Sequence, residues 1–85
     1  MGKGEINGRA GVHHNDTDGE TWELHVGQHE TFTRAQMQTL ASAANASKAA
    51  FLTQLASDKP NWDLSSDEET GAYEACKRLY PFSAS

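Results

Sequence analysis

Three histidines and a glutamate are the side chains in this sequence best placed to do chemistry together. His13 and His25 fall on the same parity of two successive alternating runs, Glu23 lies two residues before His25, and His29 follows four residues after it. Imidazole nitrogens and a carboxylate gathered on one face are the donors that zinc takes, so His13, His25 and His29 are the metal candidates. Their spacing matches no established zinc site and no cysteine pair accompanies them, so the expectation is a solvated histidine face without metal. Asp16, Asp18, Gly19 and Glu20 resemble part of a calcium loop, but the frame set by Gly19 puts His14 first and His25 at the bidentate twelfth position, where a glutamate is needed. Cys76 is the single thiol. It falls on an apolar stripe with no base beside it, which reads as a buried structural cysteine rather than a nucleophile. With no glycine loop for phosphate and no carboxylate pair for acid–base work, no catalytic residue and no cofactor are expected.

Acidic side chains are the other candidates. The chain has 85 residues, 12 Asp and Glu against 7 Lys and Arg, and a net charge of -5, which disfavours a general phosphate-binding surface. Charge is unevenly spread. Residues 1–30 hold two cations against six acids, residues 31–60 three cations against one acid, and residues 61–85 two cations against five acids. Two acidic groups result: Asp16, Asp18 and Glu20 with Glu23 behind them, and Asp63, Asp67, Glu68 and Glu69. Aligned carboxylates compete for clusters of Lys and Arg, so the expected partner is another protein with a basic site.

These residues need elements to hold them, and 85 residues make a single small domain (1–85) with a thin margin of stability. The ends, about 1–4 and 83–85, are expected to fray. Alternation predicts an N-terminal antiparallel β-hairpin over about 5–14 and 20–27. A three-residue Thr17-Asp18-Gly19 loop pairs Val12 with Leu24, Ala10 with Val26 and His14 with Trp22, so that the apolar residues share one face. His13, Glu23 and His25 then stand on the outer face. An Ala-rich helix over about 34–57 follows, opened by Thr33 as N-cap, Gln36 as its capping-box partner and Phe32 stapling onto Met37. Its stripe of Met37, Leu40, Ala41, Ala44, Phe51, Leu52 and Leu55 has a fault at Ser47–Lys48, leaving open one helix or two broken near 45–46. Trp62 and Leu64 anchor the connection. An amphipathic helix over about 66–80 closes the chain, capped by Ser65/Glu68 or Ser66/Glu69, with Ala72, Tyr73, Cys76, Leu79 and Tyr80 inward. The fold class is therefore α+β.

Residues 37–55 resemble the helix-turn-helix pattern of bacterial and phage repressors. Leu40-Ala41 stand where those motifs carry an apolar residue followed by Ala, Ala44 takes the next buried position, and Asn45 stands where Gly is usual. Ser47 sits at the cap of the recognition helix and Phe51 at its buried position. Ala46 and Gln54 depart from the pattern, both occupying positions where larger apolar residues are usual. The resemblance implies DNA contact through Ser47, Lys48, Thr53 and Gln54, with Lys48 the one cation among them, which is sparse for phosphate or guanine recognition. Size and charge together resemble the small acidic inhibitors that phages and mobile elements direct against restriction or CRISPR systems. The preferred expectation is a non-enzymatic protein-binding regulator or inhibitor of that kind, with a helix-turn-helix regulator as the alternative and nucleic acid bound only in that alternative. A homodimer through the hairpin edge or the small-residue helix face would complete a sparse core, since the hydrophobic fraction is 36%. No early apolar run suggests a signal peptide or membrane span, which points to the cytoplasm.

Overall fold

A computed structural model describes residues 11–14 and 20–82, so Asp16, Asp18, the loop between the first two strands and the expected frayed ends lie outside the described residues. Within them, three strands precede three helices: β1 (Gly11–His14), β2 (Thr21–His25), β3 (His29–Thr33), α1 (Arg34–Ala46), α2 (Lys48–Asp58) and α3 (Ser66–Arg78). The sheet is antiparallel in the order β1-β2-β3. Over the described residues the hairpin has the expected register, with Val12 opposite Leu24 and His14 opposite Trp22, while the expected Ala10–Val26 pair and the strand residues before Gly11 lie outside the described residues.

The third strand was absent from the sequence expectation. Gly27, at φ +99, turns the chain, and the Val26 N–H donates to the Gln28 carbonyl at 2.8 Å. Positive φ of this kind costs glycine little. β3 then returns along β2, pairing Leu24 with Glu30 and Trp22 with Phe32. Of the two inward positions, only Phe32 is apolar, while Glu30 reaches Lys59 at 3.7 Å.

Thr33 ends β3 and begins α1. Its hydroxyl accepts from the Gln36 N–H at 3.1 Å, and Gln36 Oε1 accepts from the Thr33 N–H at 2.9 Å, which completes the expected capping box. Phe32 and Met37, the staple pair, both enter the core. α1 buries Met37, Leu40, Ala41 and Ala44.

The Ala-rich segment is two helices, and the break falls at Ser47 rather than at Asn45–Ala46, which are helical. Ser47 takes an extended conformation (φ -170, ψ 160) and serves both helices at once. Its N–H donates to the Ala43 carbonyl to close α1, while its hydroxyl accepts from the Ala50 N–H at 3.0 Å to open α2. A serine N-cap contributes about 1 kcal/mol. The break lets Phe51 and Leu55 turn inward as the two buried residues of α2. A repressor-type turn uses three or four residues between helices, and here one residue intervenes.

α3 opens with the Ser65/Glu68 capping box, with the Ser65 N–H donating to Glu68 Oε1 at 2.9 Å and the Glu68 N–H to Ser65 Oγ at 3.2 Å. Asp67, Glu68 and Glu69 fill its first turn, where the helix dipole favours negative charge. Ala72, Ala75 and Cys76 are its buried residues. Tyr80 does not join them as expected: helical geometry stops at Arg78, and Tyr80 is 46% exposed.

The core lies between the inner face of the sheet and the helices, and is built from Trp22, Leu24, Val26, Phe32, Met37, Leu40, Ala44, Phe51, Leu55, Ala72, Ala75 and Cys76. Trp62 and Leu64 pack against it and hold the α2–α3 connection down. α1 and α3 contact the sheet, and α2 packs chiefly against α1 and α3.

Candidate functional site

Two surfaces carry the residues expected to do chemistry. The first is the outer face of the sheet, where strand alternation turns His13, Glu23, His25 and His29 to the same side. Register puts His13 opposite Glu23 and His25 opposite His29. His25 sits in the middle, its ring stacked on His29 at 4.9 Å and edge-on to His13 at 5.0 Å. Its Nε2 lies 3.0 Å from Glu23 Oε1. An ionised carboxylate only accepts hydrogen bonds, so the tautomer of His25 that carries its proton on Nε2 is the one this contact suits. The rings are thus ordered by one another and by Glu23. Among the described residues no three His, Cys, Asp or Glu side chains converge as metal ligands.

The second surface is the entry to α3. Asp63 and Asp67 are exposed and Glu68 and Glu69 half-buried. The β2–β3 turn closes on them from the sheet. Gln28 Nε2 donates to the Asp63 carbonyl at 3.3 Å and to Glu68 Oε1 at 3.4 Å, so that one glutamine ties the turn to the helix cap. A Cβ on Gly27 would stand 3.5 Å from Glu68 Oε2. No Lys or Arg forms an ion pair with Asp63, Asp67, Glu68 or Glu69 among the described residues.

These four acids stand at one end of α3, with Glu68 turned back onto the cap and onto Gln28, and with Glu69 beside Leu52 and Leu55 of α2, and the acids of the first hairpin do not join them. Glu20 stands at the opposite end of β2, beside Thr21, Thr33 and Arg34 around an open hollow of about 500 Å³. The span from Thr21 to His25 alone is roughly 13 Å at strand rise. Glu23 lies on the outer sheet face with its oxygen engaged by His25. Gln28, which joins turn to cap, was not singled out from the sequence; a glutamine after a turn glycine gives no sign of a contact made 40 residues away.

The residues of the repressor-like reading are also dispersed in role. Ser47 spends its hydroxyl on capping α2. Lys48 Nζ donates to Thr70 Oγ1 at 2.7 Å, which joins α2 to α3. Gln54 Nε2 donates to Asp58 Oδ1 at 3.1 Å along its own helix, while Thr53 is exposed.

Cys76 is fully buried, and loss of hydration pushes its thiol from 9.0 up to about 12, with Arg78 pulling the other way. A group that stays protonated at neutral pH is no nucleophile. We expect a disulfide-exchange reagent at pH 8 to leave the native chain untouched and to modify it once urea unfolds it. The same shift sets a pH dependence. Between about 9 and about 12 the unfolded thiol releases its proton while the folded one keeps it, so stability falls as pH rises through that window, by on the order of 1 kcal/mol per unit. Cys76→Ala should flatten that part of a denaturation series.

No helix among the described residues is long and apolar enough to cross a membrane. Comparison with protein-family models, with curated proteins and with solved structures finds no match to this chain.

Proposed function

We propose that this chain is a non-enzymatic protein-binding regulator or inhibitor, of the kind carried by phages and mobile elements, acting on a basic nucleic-acid-handling protein. The observation that carries this reading is the entry to α3. Asp63, Asp67, Glu68 and Glu69 lie within seven residues, a capping box and Gln28 hold the backbone beneath them, and no described cation neutralises them. Carboxylates carried on a fixed helix end meet clustered Lys and Arg with less ordering of backbone than a mobile loop would need. The repressor-like alternative has less support, because the one cation of α2 is tied to Thr70 and a single residue separates the helices.

The test uses substitutions that leave the cap intact. Asp63→Lys with Asp67→Lys reverses the two exposed carboxylates, whereas Glu68→Lys would also remove the cap. Wild-type chain on a solid support is expected to retain one basic protein from host lysate, with retention falling as salt rises and disappearing in the double variant. A salt-sensitive shift of duplex DNA, abolished by Lys48→Glu, would instead establish the alternative.

A further inference from the structure

Where α2 meets the connection to α3, the surface holds a narrow hollow of about 60 Å³. Leu52 and Leu55 of α2 and Trp62 and Leu64 of the connection give it apolar walls, and Lys59 and Glu69 complete the lining. Leu55 is buried, but Leu52, Trp62 and Leu64 keep part of their surface exposed while packing on the core. Apolar side chains left open beside one another gain by being covered. The two charged residues are not equivalent. Lys59 Nζ is drawn toward β3, 3.7 Å from Glu30 and 5.0 Å from the centre of the Phe32 ring. Glu69 has no ion pair among the described residues. The hollow is therefore an apolar slot with an uncompensated negative charge on its α3 side.

We infer that this slot takes a lysine side chain of the partner protein, its methylene stem lying against Leu52, Trp62 and Leu64 and its ammonium meeting the Glu69 carboxylate. Long basic side chains bury their stems on apolar surface while keeping the charged head at a polar edge. Size and charge select this occupant. The hollow holds roughly two waters' volume, which admits part of a methylene chain and excludes an aromatic ring. A purely aliphatic side chain would cover the walls but leave Glu69 unpaired, and an acid would meet its charge. Lysine fits better than arginine, because a compact ammonium on an unbranched stem needs less width than a planar guanidinium. The inference rests on the reading of the α3 entry as a surface for a basic protein, and deepens it by naming the side chain that anchors there.

The test titrates the intact chain with blocked tripeptides, followed by NMR in slightly acidic solution where every amine is charged. Gly-Lys-Gly is the probe. Gly-norleucine-Gly keeps the stem without the charge, and Gly-diaminopropionate-Gly keeps the charge on a much shorter stem. The lysine peptide is expected to move the Trp62 indole and the Leu52 and Leu64 methyl signals saturably, to leave the Trp22 indole in place, and to bind about threefold or more tightly than either control. Glu69→Gln, which keeps the shape of the side chain, should bring the lysine peptide down to the level of the norleucine peptide. The inference is overturned if either control binds as tightly as the lysine peptide, if an arginine peptide binds more tightly, if Glu69→Gln leaves the preference unchanged, or if no peptide moves Trp62. The comparison on wild-type chain stands even if the Glu69 variant does not fold. Failure here, with retention of a basic protein still lost in the Asp63→Lys, Asp67→Lys chain, strikes the slot and leaves the wider reading; lysine selectivity with no protein retained strikes the wider reading instead.

Discussion

Phe51→Ala is expected to destabilise the chain by about 3–5 kcal/mol, the range for deleting a fully buried aromatic ring. Phe51 has no exposed surface, lies in the first turn of α2 and packs with its ring centroid 6.0 Å from that of Tyr73 on α3. Its consequence exceeds its own contacts. An 11-residue helix is marginal on its own, and α2 is held by only two buried residues, Phe51 and Leu55. At roughly 0.05–0.15 kcal/mol per residue, a domain of this size has on the order of 4–13 kcal/mol in total. Urea denaturation followed by circular dichroism should show the midpoint falling by roughly 2–4 M. A fall of less than about 0.5 M would mean that α2 does not seat Phe51 in the core.

The second large effect is expected from Ala44→Leu. Ala41 and Ala44 of α1 have no exposed surface, and Ala72 and Ala75 of α3 are buried as well. Small residues at helix contacts allow the axes to approach closely, and α1 touches both other helices. Adding three carbons at Ala44 should cost about 1–3 kcal/mol through overpacking. Ala46→Leu, one residue before the break and exposed, should change stability by less than about 0.5 kcal/mol. Denaturation of the two variants side by side decides the matter; equal midpoints would contradict the packing described. The buried part of the small-residue face, Ala41 and Ala44, is thus taken up by the chain's own core.

The Ala-rich segment also indicates how far the sequence could be read. Its start was legible because capping is local: Thr33 and Gln36 identify each other within one turn, as do Ser65 and Glu68. The hairpin register was legible too, since a one-residue slip would have turned Val12 away from Leu24 and Trp22. The break at Ser47 was visible only as a fault in the stripe. A serine at that point reads equally as an interior residue on the solvent side or as a cap, and what decides is the burial of Phe51, a tertiary effect. β3 was missed for a related reason. His29-Glu-Thr-Phe-Thr33 has strand-like threonines, but its inward pair is Glu30 and Phe32, which breaks the apolar alternation. Of the candidate sites, the α3 carboxylates were legible as a cluster in sequence. Gln28 beneath them was not, and neither was the separation of Glu20 from them, because both depend on where the sheet ends meet the helices.

The central claim is that the carboxylates at the entry of α3 occupy a basic site that otherwise holds nucleic acid. It is tested most directly by competition on the protein retained from lysate. With labelled nucleic acid bound to that protein, added wild-type chain is predicted to displace it in a saturable, salt-sensitive manner, and the Asp63→Lys, Asp67→Lys chain, folded by circular dichroism, to leave it bound. Nucleic acid that stays bound at saturating wild-type chain, or that both chains displace equally, would contradict the account.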